Sequence, residues 1–78
     1  MDLTASHRLD ARGHLCPVPI LMTEEKILEL KSGDVLELAF TDPGAEPDLT
    51  AWCKATGNEV LKSDRPEGKY RFYIRRRS

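Results

Sequence analysis

Two prolines one residue apart, Pro17 and Pro19, dictate where a helix of this chain can begin. Proline has no N–H to donate and clashes with the preceding turn, so a helix tolerates it only in its first turn. A helix that contains both must start at or beside Pro17. The apolar residues downstream keep that phase. Ile20, Ile27 and Leu30 fall on one side with Leu21 and Leu28 flanking them, while Glu25, Lys26 and Glu29 lie opposite. Gly33, behind Lys31 and Ser32, is a stop signal. The pattern predicts a helix from Pro17 to about Leu30 or Lys31.

The rest of the chain reads outward from this helix. Leu36, Leu38 and Phe40 alternate with smaller or charged residues and predict a strand from Val35 to Phe40. Thr41-Asp42-Pro43-Gly44 is a turn. A second helix is predicted from about Pro47 to Thr56, with Leu49, Trp52, Cys53 and Thr56 on one face and Gly57 past its end. Glu59 to Ser63 and Lys69 to Arg75 form a hairpin around Arg65-Pro66-Glu67-Gly68, with Tyr70, Phe72 and Ile74 on one face. Arg8 to Ala11 gives a short first strand. This order predicts an α/β two-layer sandwich, βαβαββ, with a mixed four-stranded sheet and two helices on one face. The first strand–helix–strand unit should cross right-handed and pair its strands in parallel. Residues 1–7 are expected to be a flexible leader and residues 8–78 a single domain.

A chain of 78 residues buries only about 60% of its unfolded surface, so chemistry has to sit near the surface. Lys+Arg 12 against Asp+Glu 13 leaves a net charge of -1, which argues against a dedicated nucleic-acid binder. Arg75-Arg76-Arg77 then reads as a solubilising end. No apolar stretch approaches the ~18 residues that span a bilayer. Met1 to Asp10 is polar and lacks a signal-peptide core. The expected compartment is cytoplasmic, without membrane contact.

Cys16 and Cys53 are too few for a disulfide framework and lack CxxC spacing. With His7 and His14 they match no standard ligand pattern, so neither a metal nor a cofactor is expected. Cys16 is the candidate catalytic residue. As an N-cap it would meet the Val18 N–H or that of Ile20, and the helix dipole there favours a thiolate. This predicts a reactive, partly exposed sulfur presented by a loop that Pro17 and Pro19 stiffen. Cys53, on the apolar face of the second helix, is expected in the core; a resolving disulfide with Cys16 stays open. His14 reads as a solvated loop residue, with a role beside the thiol as the alternative. Val18 and Met22 fall on the water side near Cys16 and suggest a docking surface, unless the leader or a sheet edge covers them. Asp10, Arg12 and Asp42 read as turn or cap residues, and Asp48 suits the dipole of the second helix.

Leu9-Asp10-Ala11-Arg12-Gly13, Cys16-Pro17-Val18-Pro19, Lys31-Ser32-Gly33-Asp34, Thr41-Asp42-Pro43-Gly44, Trp52-Cys53 and Gly57-Asn58-Glu59 together resemble the TusA family of small sulfur-carrier proteins. The resemblance covers roughly Arg8 to Arg75. It departs just before the cysteine, where His14 then Leu15 reverses the family's usual order of an apolar and a variable residue. The resemblance implies the same βαβαββ sandwich and a persulfide on Cys16. It implies a cysteine desulfurase or rhodanese as donor, a downstream acceptor protein, and a place in tRNA 2-thiolation, sulfur oxidation or molybdenum-cofactor sulfur supply. A monomer with transient complexes fits the balanced charge. Two other readings stay open: a non-catalytic regulatory module binding protein or RNA, and a redox protein using Cys16 and Cys53.

Overall fold

The structure is a computed structural model and describes residues 5–77. The elements are β1 (His7–Ala11), α1 (Val18–Ile27), β2 (Val35–Phe40), α2 (Ala45–Thr56), β3 (Glu59–Asp64) and β4 (Tyr70–Arg75). The four strands form one sheet in the order β1-β2-β4-β3. β1 and β2 are parallel, with Leu9 opposite Leu38 and Ala11 opposite Phe40; the other two pairings are antiparallel. This is the two-layer mixed-sheet α/β fold that the order of elements predicts.

Alternation along the strands decides the two faces of the sheet. Leu36, Leu38 and Phe40 from β2 and Phe72 and Ile74 from β4 turn inward. They meet Ile27 of α1, Leu30 just past it, and Ala45, Leu49 and Cys53 of α2 in a single core. Both helices therefore cover the same face. Phe40 anchors this core, stacked on Tyr70 at 5.1 Å and edge-on to Phe72 at 5.2 Å. Burying each such side chain contributes about 1.5–3 kcal/mol. Trp52 packs against the cluster only in part, and Thr56, expected on this face, is exposed.

The opposite face carries cross-strand polar pairs, as an antiparallel sheet open to water does. Tyr73 donates its hydroxyl to Glu37, directly opposite, at 2.9 Å. Arg71 grips Asp64, also opposite, with two bonds of 3.0 and 2.7 Å. That guanidinium lowers the Asp64 carboxyl below its usual range. At the edge, β3 bulges at Leu61 between Val60 and Lys62, which blunts an exposed strand.

Two helix boundaries differ by two residues or more from the sequence reading, each for a physical reason. α1 ends at Ile27 rather than near Leu30. Beyond it Glu29 and Leu30 close tighter turns onto the Lys26 and Ile27 carbonyls, and the Arg76 guanidinium takes the Ile27 and Leu30 carbonyls at 2.8 and 2.5 Å. Arg76 is thus a helix cap rather than part of a solubilising tail. Arg75 and Arg77 are likewise engaged, both near Glu59. α2 starts at Ala45, two residues early, because the Ala45 N–H bonds the Asp42 carbonyl at 3.0 Å, and Pro47 still falls in the first turn. Its far end closes at Gly57 with φ 82, which glycine adopts without steric cost.

The leader expected over residues 1–7 does not include Ser6 and His7, which join the sheet. Ser6 donates its N–H to the Val35 carbonyl at 3.0 Å and His7 already pairs with Leu36, while residues 1–4 lie outside the described residues. Among the described residues no helix is long and apolar enough to cross a membrane. Because Arg76 closes α1 from the last strand's exit, Arg76→Met should lower unfolding free energy by about 1–3 kcal/mol in urea titration. An unchanged midpoint would show that the cap contributes nothing.

Candidate functional site at the end of the parallel strands

The parallel register brings the ends of β1 and β2 together, Ala11 beside Phe40. The two loops that follow are stitched along their length. The Gly13 N–H bonds the Thr41 hydroxyl at 2.9 Å, the Cys16 N–H bonds Asp42 Oδ2 at 2.7 Å, and the Cys16 thiol donates to Asp48 Oδ2 at 2.9 Å. Asp42 also accepts the Gly44 N–H on Oδ1 at 3.2 Å. One carboxylate therefore folds its own turn and fixes the loop that presents the cysteine. On the other side Arg12 clamps Asp10 through Nε and Nη2, both at 2.8 Å, and holds the Asp10 carboxyl well below the usual range. Arg12 and Asp42 are the turn residues their positions suggest, whereas Asp10 lies within β1 and its carboxylate accepts the Arg12 N–H at 3.0 Å.

Cys16 is half-buried and unpaired to sulfur. Its surroundings correct the sequence reading in two respects. The N-cap of α1 is Pro17, so Cys16 lies one residue outside the helix, behind a cis Cys16–Pro17 peptide. The Val18 N–H bonds the Leu15 carbonyl at 2.9 Å and is not given to the sulfur. The sulfur meets a carboxylate instead, and acts as donor. The Asp48 hydrogen bond, then desolvation, then the charges of Asp48 and Asp42 push the thiol up to about 11. The expected low-pKa thiolate is thus not the resting form. A helix end offers about half a charge, and a whole carboxylate in contact outweighs it.

The other candidate residues separate cleanly. Pro17 is exposed, whereas Pro19 is buried and its carbonyl takes the hydroxyl of buried Thr23 at 2.7 Å. Met22, expected on the water side, packs against the core because the buried stripe of α1 runs through Pro19, Thr23 and Ile27. Among the described residues the exposed large hydrophobic side chains are Leu15 (73%), Val18 (38%), Leu21 (54%) and Leu28 (71%). Val18, Leu21 and Leu28 recur at helical spacing on one side, and Leu15 adjoins Cys16. Leu21 and Leu28 were legible as flanking positions, but their exposure depends on which side the sheet takes. Cys53 is buried at 1% exposure among core residues, and burial pushes its thiol up to about 11. His14 is exposed and its side chain pairs with no other described residue.

Comparison with known proteins places the chain. The profile of a family described as sulfurtransferase TusA matches residues 7–76. The chain belongs to the TusA family. The sulfur carrier protein TusA of Allochromatium vinosum is 43% identical over 68 residues, covering 87% of this chain and 90% of that protein. Its namesake in Pseudomonas syringae is 34% identical over 77 residues, covering 99% of this chain and 92% of that one. Other relatives are longer: in Aquifex aeolicus the match, 41% identical, covers 90% of this chain but only 36% of the relative. The chain thus spans about a third of the length of some family members and nearly all of others. A SirA-like protein of Desulfitobacterium hafniense shares the fold at TM-score 0.80 with 19% identity, over 92% of this chain and 99% of that one.

Asp42 should matter to the loop rather than to the core. Asp42→Ala removes the acceptor of the Cys16 and Gly44 N–H groups and should cost about 1–2 kcal/mol. Amide hydrogen exchange should then quicken about tenfold at Cys16 while the β4 amides stay protected. Equal protection in both proteins would remove the carboxylate from the loop's support.

Proposed function

We propose that this chain is a sulfur carrier that accepts sulfane sulfur as a persulfide on Cys16 and hands it to a downstream protein. The observation that carries this reading is the placement of Cys16 in a TusA-family chain: a half-buried thiol on a loop braced by Asp42, at the rim of the sheet. Relatives named as sulfur carrier proteins support it. The Cys16 sulfur attacks the outer sulfur of a donor persulfide R–S–SH. The new S–S bond forms as the old one breaks, and the Sγ proton ends on the departing R–S⁻. One thiol and one persulfide stand on each side, so no oxidant is consumed. A cysteine desulfurase or a rhodanese is the class of donor that makes such a persulfide. The acceptor is a protein of tRNA 2-thiolation, sulfur oxidation or molybdenum-cofactor sulfur supply.

Pro17 and Pro19 stiffen the start of α1 beneath the sulfur. Val18, with Leu15 and Leu21, supplies an apolar surface beside it for partner docking, and Met22 supports that surface from the core side. A redox pair with Cys53 is disfavoured. Cys53 faces the core with Leu49, while Asp48, one residue before Leu49, faces Cys16.

Intact-mass spectrometry under non-reducing conditions tests the reading. Incubation with a cysteine desulfurase and cysteine, or a rhodanese and thiosulfate, should add one sulfur to the wild type and none to Cys16→Ser, reversed by dithiothreitol. A blank with both donors would sink the carrier reading in favour of a binding module. Cys53→Ala should load sulfur at an unchanged rate while losing about 1–2 kcal/mol of stability to the small cavity it leaves.

A further inference from the structure

Asp48 accepts a hydrogen bond from the Cys16 sulfur, and the proposed chemistry does not yet use it. It projects from the first turn of α2, 32 residues away in sequence, and accepts the Cys16 thiol proton at 2.9 Å. Asp42 approaches the same residue from the β2–α2 turn, at the Cys16 N–H. Among the described residues neither carboxylate has an ion-pair partner, although the neighbouring Asp10 and Glu46 are paired with Arg12 and Arg65. The two acidic groups are thus unneutralised where the sulfur sits. Arg12 and His14, the basic residues on the preceding loop, do not offset them: Arg12 is spent on Asp10, and the His14 side chain makes no ion pair with a described residue.

We propose that Asp48 is a positioning residue that holds Cys16 as an aimed, neutral thiol in the free protein and thereby selects against small-molecule electrophiles and sulfur donors. This rests on the carrier reading above. A thiol that donates to a carboxylate is fixed in direction, since the Sγ–H must point at Oδ2. It is also held back, since losing that proton leaves an anion against Asp48. Reaction then waits for a partner whose docking rearranges or screens the contact. The loaded form cannot make the same bond, because the proton of Cys16–S–SH is on the outer sulfur. Loading therefore releases the latch and turns the sulfur away from Asp48. The transfer balances as before: Cys16–SH and R–S–SH give Cys16–S–SH and R–SH, with the proton passing from Sγ to the donor thiolate.

The test compares wild type, Asp48→Asn and Asp48→Glu by peptide-resolved iodoacetamide alkylation of Cys16 from pH 6 to 11, with circular dichroism as the check on folding. In the wild type the rate should still be rising beyond pH 9, with its midpoint near 11. Asp48→Asn should move the midpoint down toward the ~8.5 of free cysteine. Two or so units of extra ionisation, offset by lower intrinsic nucleophilicity, amount to about tenfold faster alkylation at pH 8. Asp48→Glu, which keeps the carboxylate, should retain most of the wild-type profile. A merely structural Asp48 would leave the midpoint in place in all three. A wild-type plateau at or below the free-cysteine value, or the same midpoint in Asp48→Asn, overturns the proposal. Loading from glutathione persulfide, read by intact mass, should be about tenfold faster in Asp48→Asn; equal loading rates overturn the selectivity. If the alkylation midpoints separate but no protein loads sulfur from any donor, the carrier reading fails and Asp48's control of the thiol stands.

Discussion

Parallel pairing of β1 with β2, in the register that sets Ala11 beside Phe40, is the constraint on which the site depends. It delivers two chain segments to one rim of the sheet, where the loop before α1 and the turn before α2 run side by side. Each bond along that seam joins residues 26 to 32 positions apart: Gly13 to Thr41, Cys16 to Asp42, Cys16 to Asp48. A slip of one residue would turn Leu9 and Ala11 to the open face and break the seam. The same core that enforces the register, with Leu36, Leu38 and Phe40 facing inward, therefore also sets the geometry of the cysteine.

Electrostatics at that rim inverts a simple expectation. The start of a helix favours a thiolate, yet Cys16 stands one residue ahead of the N-cap and faces a carboxylate. The balance goes to the group in direct contact, and the thiol rests protonated. For the carrier proposed above this is a workable state. Its sulfur has to react when a partner is docked and stay quiet between partners, and a hydrogen-bonded thiol meets both needs without an enclosed pocket.

Fold maintenance and the site use separate parts of a small surface. The open face of the sheet is occupied by Tyr73 with Glu37 and Arg71 with Asp64, and the far end by Arg76 on the carbonyls of α1. Among the described residues the exposed large hydrophobic side chains lie instead along α1 and at its two ends, with Leu15 and Val18 flanking the Cys16–Pro17 pair in sequence. An arrangement of this kind suits a domain that some relatives carry as most of their length and others as about a third of it.

The order of elements was legible because each is punctuated locally. Pro17 and Pro19 limit where α1 can begin, Gly57 closes α2, and the alternation of Leu36, Leu38 and Phe40 requires a strand. Cys16 stood out for the same reason, as a cysteine directly ahead of a helix with two prolines in its entry. Nothing local marked Asp42 or Asp48 as partners of that sulfur. Asp42 looked like a turn residue and Asp48 like a complement to a helix dipole, and both descriptions are also true. What local pattern cannot supply is distance across the fold. The water-side reading of Met22 and the solubilising reading of Arg76 fail because the side of α1 that meets the sheet, and the strand exit that meets its last turn, are fixed by long-range packing. The sequence determined the order of elements and singled out Cys16, since both follow from backbone limits within a few positions. The tertiary structure alone decided the protonation state of that residue, since this depends on a carboxylate brought to 2.9 Å from 32 residues away.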